Sequence, residues 1–295
     1  MINGDNVAGI WKRLAYFPQC LMNHMRGESS AVAIRQVELK QANLGKFGRG
    51  SPSRIVCNML WSEINFRAIS ESFDEPLHFF DIGCGGGEYG LYMQELSQKF
   101  FGSYVGLDVY KADSFPGDFE HILSDAANAA NAISSNVNFI MSQSALEHIE
   151  HDSMTIESVT NKLLLNKRKF IQVHMVPAPS SLWLYLWHGW RQYSKKSLSK
   201  LVSKSIRDND DLDVFAIPIC GPSSFKAHFF RITIPSYILI LLGKRKEKSW
   251  ESFPMVHEKI EIAVKDDLKK KSVKNNAFWA VIIASKGSDL GVEWQ

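Results

Sequence analysis

The chain has 295 residues, with 34 basic and 31 acidic side chains and a formal net charge of +3. Hydrophobic residues make up 45% of the chain and charged residues 22%, a composition typical of a globular protein and not of a disordered one. A net charge this small gives no general attraction to polyanions, so we expect no nucleic-acid partner.

The cysteines and the N-terminal residues indicate the cellular setting. The four cysteines are far apart and form no C-x-x-C pair, which predicts reduced thiols and neither a zinc site nor a disulfide framework. Residues 1–9 lack the basic stretch and apolar run of a signal peptide, and the longest apolar run, Tyr237–Leu242, is too short to cross a bilayer. We therefore expect a cytoplasmic protein, with peripheral contact at the inner membrane face left open.

The first 74 residues are predicted to form an N-terminal helical cap, followed by one α/β domain over residues 75–295. Apolar residues recur at helical spacing over residues 6–26, and Pro18 predicts a break in that helix. Residues 44–53 are rich in Gly and Pro and predict a loop. Ser51 and Pro52 then favour an N-cap followed by proline in the first turn, with the helix running from about 54 to 70.

From residue 78 onward, short apolar runs alternate with helical stretches. Alternation of strands and helices is typical of a parallel sheet with helices on both faces. The fold class predicted is therefore α/β, with a Rossmann-like sheet. The predicted strands are residues 78–82, 104–109, 121–123, 137–141, 170–176, 212–219 and 277–285, and the predicted helices between them are residues 87–99, 126–134 and 153–166.

A glycine-rich turn follows the first of these strands. Asp81 ends an aromatic strand and precedes glycines at 83, 85, 86 and 87. Glycine is needed where the backbone turns with positive φ or touches a ligand, and a helix follows at once. A G-x-G-x-x-G pyrophosphate loop would require glycine where Glu88 stands, and a carboxylate there disfavours pyrophosphate. Asp81 instead suits a cationic ligand.

The sequence D-I-G-C-G-G-G at 81–87 resembles motif I of class I S-adenosylmethionine-dependent methyltransferases. Asp108, at the end of the next strand, resembles the residue that holds both ribose hydroxyls, and Asp125 resembles the adenine-amine acceptor. Residues 139–149 resemble motif IV with its L-E-H-I tail. The resemblance implies a seven-stranded sheet with 277–285 antiparallel, and adenosylmethionine as the cofactor with adenosylhomocysteine as product. The cofactor residues it implies are Asp81, Gly83, Cys84, Gly85, Asp108, Val109, Asp125, Ala126 and Ser142.

Three histidines near the strand ends are candidates for a general base. Methyl transfer to a hydroxyl usually needs one, and histidine serves that role near neutral pH. The candidates are His148, His151 and His174, each of which could instead pack a strand end. Glu147 and His148 also raise a minority metal option, because RNA 3′-end and quinone-precursor methyltransferases use an E-x-x-E-H cluster. Ser144 stands where its first glutamate would be, so we expect no metal.

Residues 181–206 predict a helix that is first aromatic and then basic. Trp183, Trp187 and Trp190 recur at helical spacing, which is compatible with core packing, an acceptor-site wall or membrane contact. Residues 174–194 also resemble a segment of methyltransferases encoded among bacterial surface-polysaccharide enzymes, including those of O-antigen synthesis.

That second resemblance implies methyl transfer to a sugar hydroxyl of a polysaccharide or lipid-linked glycan. Residues 181–260 would be an insertion forming the acceptor side, and the N-terminal helices would cover the cofactor crevice with Lys46, Arg49 and Arg54 near its mouth. Two alternatives stay open: a small aromatic or quinone-type acceptor, and a partner protein that kept the fold without catalysis.

Overall fold

The computed structural model describes residues 2–7, 9–29, 31–39, 51–241, 254–269 and 275–288. They contain one eight-stranded sheet with strand order β1-β7-β8-β6-β5-β2-β3-β4. Strand β8 runs antiparallel to both of its neighbours, and the other paired strands are parallel. The strands are β1 (Ala33–Ile34), β2 (Leu77–Ile82), β3 (Phe101–Asp108), β4 (Glu120–Leu123), β5 (Phe139–Gln143), β6 (Ile171–Pro177), β7 (Leu212–Ile219) and β8 (Phe278–Ser285).

The predicted α/β sheet and its antiparallel member at 277–285 are confirmed, but the predicted count of seven strands is wrong by one. The extra strand, β1, pairs Ala33 with Phe215 and Ile34 with Ala216 at the edge of the sheet. Two residues are too few to show an alternating pattern, so this strand could not be predicted from periodicity.

The sheet is buried on both faces, with a separate core on each. Neighbouring residues of β2 point to opposite faces, so Phe79 belongs to one core and Phe80 to the other. The first core includes Trp61 and Phe66 from helices near the N-terminus. Burial on both sides explains why these strands are mainly apolar, as in other sheets covered by helices.

Most of the longer helices begin and end close to their predicted positions, with three corrections. The described helices are α1 (Ile10–Met25), α2 (Pro52–Glu63), α3 (Phe66–Phe73), α4 (Glu88–Ser97), α5 (Ala129–Ala132), α6 (Asp152–Leu165), α7 (Leu198–Leu201), α8 (Lys204–Arg207), α9 (Pro222–His228), α10 (Ile234–Leu241) and α11 (Pro254–Leu268). Ser51 caps α2 as predicted, because its side chain accepts a hydrogen bond from the N–H of Arg54. The helix predicted over 54–70 is instead two, since Asn65 caps a new helix, α3.

The predicted break at Pro18 is wrong, because α1 continues through it. Proline removes one backbone hydrogen bond from a helix. The carbonyl that this missing bond leaves free belongs to Leu14, and both Leu14 and Pro18 are exposed, so water can hydrate that part of the helix. The hydration of that carbonyl lowers the cost of keeping the proline inside the helix.

The helix predicted over residues 181–206 is also wrong. A short 3-10 helix at Pro179–Trp183 is followed by irregular chain and by the two short helices α7 and α8. Trp187 and Gly189 have φ angles of 55° and 63°, a left-handed conformation that ends a right-handed helix. The tryptophans of this segment therefore do not form a helical stripe.

Among the described residues, no helix is long and apolar enough to cross a membrane. The apolar run at 237–242 lies mostly in α10, which is a helix of 8 residues. The lysines and the arginine at 244–248, together with Lys46 and Arg49, fall outside the described residues.

Candidate active site

The glycine-rich turn at 83–87 connects β2 to α4 and approaches a neighbouring strand end closely. Gly83, Gly85 and Gly87 all have positive φ angles, of 77°, 53° and 73°. A Cβ atom on Gly83 would lie 2.4 Å from the Cβ of Ala145, which follows β5. Glycine is therefore required at 83 both for its conformation and for this close approach.

A cavity of about 620 Å³ lies beside this turn, at the carboxyl ends of β2, β3, β4 and β5. Ligands of open α/β sheets bind at this edge, where the strand ends and loops leave a crevice. Its lining includes five of the residues predicted to bind the cofactor, namely Gly83, Asp108, Val109, Asp125 and Ala126. Asn3, Ser144, His148, His151 and Trp190 line it as well.

Two aspartates are fixed at the rim of this cavity, which we call the cofactor cavity. Asp108 accepts hydrogen bonds from the N–H groups of Gly85 at 2.9 Å and Tyr110 at 3.2 Å. Asp125 caps the next turn by accepting from Ala127 at 2.8 Å. A carboxylate oxygen has more than one lone pair, so both residues can still accept from a ligand. Asp108 thus also ties the glycine turn to the end of β3.

Four other predicted cofactor residues are absent from the cavity lining. Asp81 is buried at 1% exposure, where its Oδ2 accepts a 2.7 Å hydrogen bond from Tyr104 while Oδ1 has no partner. Burial raises the pKa of Asp81 to about 7, although the bond from Tyr104 opposes the shift. The Gly85 N–H is turned toward Asp108, and the buried Cys84 packs against Gly106. Ser142 is fully buried below the strand end.

A second cavity of about 200 Å³ adjoins the first, and the two share Ser144 and His148. We call it the acceptor cavity. Ser144 is a non-glycine residue at φ 53°, a strained conformation of the kind that recurs at functional sites. Polar and apolar groups contribute about equally to its surface. The lining comprises Ser51, Ser53, Arg54, Cys57, Gln143, Ser144, Glu147, His148, Pro177, Tyr185, His188 and Phe278.

His148, at the junction of the two cavities, is held by a carboxylate from the N-terminal segment. Asp5 Oδ2 lies 2.7 Å from His148 Nδ1, and Asp5 Oδ1 lies 3.4 Å from His188 Nδ1. The two imidazole rings meet edge to face with their centroids 4.5 Å apart. Because both Nδ1 atoms face Asp5, the Nε2 atoms of the two histidines are left to face elsewhere.

The ionisation of this cluster follows from its hydrogen bonds. Burial disfavours the carboxylate of Asp5, but bonds from His148, His188 and the N–H of Gly189 outweigh it and hold the pKa of Asp5 well below its usual range. Burial likewise disfavours the imidazolium of His148, but the bond to Asp5 and the charge of Glu147 raise its pKa. An aspartate that orients a histidine through Nδ1 and strengthens it as a base is the arrangement of many hydrolytic triads.

The N-terminal segment reaches this position because it is bound to the irregular chain at 187–193. Gly4 donates its N–H to the carbonyl of Gly189 at 2.7 Å, and Tyr16 donates its hydroxyl to the carbonyl of His188 at 2.6 Å. A Cβ atom on Gly4 would lie 2.4 Å from the backbone of Trp187, so this contact requires glycine.

The chain at 187–193 is in turn anchored to the sheet. The N–H of Trp190 donates to the carbonyl of Glu147 at 2.7 Å, directly before His148. The buried carboxylate of Asp152 accepts from Arg191 and from Tyr193, both at 2.5 Å. Asp5, His148 and His188 are therefore held in one hydrogen-bonded structure. Sequence reasoning missed Asp5 and His188, because nothing in the local sequence links them to the motif at 146–149.

The other two predicted bases, His174 and His151, do not lie between the two cavities as His148 does. His174 is fully buried and hydrogen-bonded at both ring nitrogens, to Ser142 at 2.9 Å and to Gln172 at 3.3 Å. Burial lowers its pKa to about 3, and it lines neither cavity. This position excludes His174 as the base. His151 is exposed and lines the cofactor cavity, but it does not reach the acceptor cavity.

The metal site considered at Glu147 and His148 is not formed by those two residues; the ligand atoms that lie close together belong to a different set. Glu147 is 1% exposed, and its nearest histidine nitrogen is Nε2 of His188, 4.0 Å from Oε1. Asp5, His148 and His188 bring three ligand atoms within 4.8 Å of one another. The short bond between Asp5 and His148 already satisfies one ligand atom of each residue, which is the arrangement of an orienting pair.

The tryptophans of the 181–207 segment do not form an acceptor-site wall. Trp190 lines the cofactor cavity, whereas Trp183 and Trp187 pack around Phe17 of α1 and line neither described cavity. Arg54, predicted near the cofactor crevice, instead lines the acceptor cavity, where it donates to the hydroxyl of Tyr89 at 2.9 Å.

Comparison with known proteins gives matches in structure but none in sequence. No family profile matches the chain, and no curated protein matches it. The plantazolicin methyltransferase BamL, crystallised with a triazolic desmethylPZN analog and SAH, is 15% identical over 76% of this chain and 82% of its own, with a TM-score of 0.47. A SAM-dependent methyltransferase from Archaeoglobus fulgidus is 17% identical over 81% of this chain and 96% of its own, with a TM-score of 0.42.

A third structure, StiE O-MT, is 12% identical over 74% of this chain and 72% of its own, with a TM-score of 0.42. Of these three, BamL was crystallised with SAH, and the Archaeoglobus fulgidus protein is described as SAM dependent. At such low identities and TM-scores we draw nothing from them about the activity or the acceptor of this chain.

Proposed function

We propose that the chain is an S-adenosylmethionine-dependent O-methyltransferase that acts on a hydroxyl group of a sugar-like acceptor. The observation that carries this proposal is the junction of the two cavities. Ser144 and His148 border both the cavity that carries the predicted cofactor residues and the smaller cavity beside it. A base at such a junction can reach an acceptor hydroxyl that faces the methyl donor.

The cofactor cavity fits adenosylmethionine in the chemistry of its residues. Asp108 and Asp125 line the cavity; Asp108 would accept from the ribose hydroxyls and Asp125 from the adenine amine. Asp81 does not line the cavity, but its unpartnered Oδ1 would suit a cationic amino group that approached it, and such a group would favour its ionised form. When bound there, adenosylmethionine supplies a methyl group on a sulfonium, which reacts by in-line displacement.

The residues of this chain would then align the acceptor and accept its proton. Asp5 fixes the ring of His148 through Nδ1, so that Nε2 can take the proton as the acceptor oxygen attacks. The positive charge formed on the imidazole is stabilised by Asp5 at 2.7 Å and by the nearby carboxylate of Glu147. Holding the acceptor in the adjoining cavity supplies the alignment that an in-line displacement requires.

Hydrogen-bonding side chains in the acceptor cavity support an acceptor that carries hydroxyl groups. Hydroxyl, amide, carboxylate and imidazole groups come from Ser53, Gln143, Glu147 and His188. Glu147 is 1% exposed and its Oε2 has no partner, so an acceptor that donates a hydrogen bond would satisfy a buried group. An acceptor that offers no hydrogen-bond donor there would leave Oε2 of Glu147 unpaired, which is costly. We propose one ring of a polysaccharide or lipid-linked glycan as the occupant.

The proposal assigns parts of the chain to each task. Residues 1–74 would act as a cap that supplies Asn3 to the cofactor cavity and Asp5 to the base. Within residues 75–295, the region 181–260 would form the acceptor side through Tyr185 and His188. A partner protein without catalysis is less favoured, because such a protein has no need for an oriented histidine between two joined cavities.

The test begins with the cofactor. Purified protein should bind adenosylhomocysteine at micromolar concentration by calorimetry, and Asp108→Ala should abolish that binding while Asp118→Ala, at an exposed position, should not. Absence of binding by the unmodified protein would overturn the central claim. Transfer of labelled methyl groups to a glycan panel, compared with a panel of catechols and quinols, then tests the acceptor class.

A further inference from the structure

Helix α1 carries an apolar stripe on its outward side. Six of its large apolar residues are 47–80% exposed, namely Ile10, Trp11, Leu14, Leu21, Met22 and Met25. At roughly 100° a residue, they fall within an arc of about 120° around the helix axis. Single exposed apolar residues are ordinary, but a continuous stripe of six marks a surface that contacts something.

The opposite side of α1 already has its packing partners. Tyr16 and Cys20 are fully buried and form a small core with Leu182. The Tyr16 hydroxyl is also bound to the carbonyl of His188. The stripe is therefore a second apolar face on a helix whose inner face is satisfied. Trp183, 53% exposed and stacked on Phe17 at 6.2 Å, extends the apolar surface beside it.

We propose that this stripe docks the protein on an anionic lipid bilayer, with α1 lying in the plane of the membrane surface. The charge of α1 selects this occupant. Its 16 residues contain Lys12 and Arg13 but no aspartate or glutamate, and Arg26 follows directly. An interfacial helix combines an apolar face bearing tryptophan and leucine with basic residues around it, and anionic headgroups attract those residues.

The composition of the stripe also fits a lipid interface. Trp11 is the most exposed large apolar residue of α1, at 80%, and indole rings favour the boundary between headgroups and acyl chains. The docked helix begins at Ile10, shortly after Asp5 in the chain, and Asp5 binds His148 beside the acceptor cavity. The docking does not depend on methyl transfer, so a test that measures vesicle binding separates the two proposals.

The experiment is co-sedimentation of the full-length chain with vesicles, combined with tryptophan fluorescence. Phosphatidylcholine vesicles are compared with vesicles containing about 30% phosphatidylglycerol, at low and high salt. We expect binding to the anionic vesicles, a blue shift of tryptophan emission and weaker binding at high salt. The variant Trp11→Ser/Leu21→Ser should bind at least about tenfold more weakly, because two apolar side chains no longer enter the interface.

A matched control uses Leu165→Ser/Ile262→Ser, which removes two apolar side chains that are 78% and 59% exposed on other helices. It should bind like the unmodified protein. Lys12→Gln/Arg26→Gln should weaken binding to anionic vesicles and reduce its salt dependence. Thermal unfolding of each variant verifies that it folds.

Three results would overturn the proposal. The unmodified protein could fail to bind anionic vesicles. The Trp11→Ser/Leu21→Ser variant could bind as tightly as the control pair. The unmodified protein could be a dimer that the stripe variant converts to a monomer, without vesicle binding in either form; the stripe would then be an interface between two copies.

Discussion

The carboxylate of Asp5 and the imidazole of His148 form a 2.7 Å hydrogen bond although 143 residues separate them. This bond joins a short N-terminal 3-10 turn to the end of the motif that follows β5. It fixes the orientation of the His148 ring between the two cavities and raises the pKa of that histidine. The N-terminal segment is thus part of the proposed active site.

Replacing Asp5 by asparagine should lower kcat by about 10²- to 10⁴-fold, the range typical of lost general-base catalysis. The affinity for adenosylhomocysteine should stay unchanged, because Asp5 does not line the cofactor cavity. Asp5 raises the pKa of His148, so the variant histidine should lose its proton at lower pH. The acidic limb of the rate profile should therefore shift to lower pH even as the plateau falls.

The control for that experiment is Asp118→Asn, an exposed aspartate that lines neither described cavity. Steady-state rates between pH 5 and 9 distinguish the two variants. An Asp5→Asn enzyme with the unmodified pH profile would show that Asp5 does not act through His148.

Replacing the buried carboxyl of Asp81 should raise the stability of the protein and lower its affinity for the cofactor. The folded-state pKa of Asp81, about 7, lies above its unfolded-state value of 3.8. The free energy of unfolding therefore falls as the pH rises from the lower value to the higher one, and Asp81 causes no further loss above about pH 7. Asp81→Asn should therefore raise Tm at pH 8, by about 2 °C or more, and change it little at pH 4. The same variant should bind adenosylhomocysteine more weakly, because it lacks the charge that pairs with the amino group.

Differential scanning fluorimetry at the two pH values, with and without adenosylhomocysteine, measures both effects of Asp81→Asn. A variant less stable than the unmodified protein at pH 8 would contradict the assignment of a costly buried charge. Unchanged ligand affinity would remove Asp81 from the cofactor site.

Gly189→Ala should disrupt the contact that places the N-terminal segment. The new Cβ would lie 2.6 Å from the carbonyl oxygen of Glu147, at a φ of 63°. Gly287→Ala is the matched control, because Gly287 has a φ of 74° but a Cβ added there would have no atom within 4 Å. Both variants incur the left-handed backbone cost of about 1–2 kcal/mol. The Tm of Gly189→Ala should lie at least about 3 °C below that of Gly287→Ala, and only Gly189→Ala should lose most of its activity.

Removal of divalent ions should leave methyl transfer intact. The short bond from Asp5 to His148 serves an orienting pair, and the reaction proposed here needs a base and not a Lewis acid. Dialysis against a chelator, followed by rate measurement with and without added Mn²⁺, Mg²⁺ or Zn²⁺, tests this expectation. Loss of activity that one of these ions restores would assign Asp5, His148 and His188 as metal ligands.

Most of the sheet could be predicted because its signals are local. Strands buried on both faces are continuous apolar runs, so β2, β5, β6, β7 and β8 were predicted within a few residues. The glycine turn and the aspartates at the strand ends are fixed by backbone conformation and by the parallel order of the strands. The two-residue β1 and the irregular chain at 181–197 have no local periodicity, and tertiary contacts decide their conformation.

The sequence alone determined where the apolar strands end and which residues follow them, because these signals are local. The glycine turn at 83 and His148 could be read beside those strand ends, and the resemblance to methyltransferase motifs added the roles expected for Asp108 and Asp125. Only the tertiary structure decided which histidine has an accessible nitrogen, because burial and hydrogen bonding depend on distant segments. Folding buries His174. It also brings Asp5, more than 140 residues away in the chain, and His188, 40 residues away, into contact with His148. Side chains that meet only after folding leave no spacing rule in the sequence.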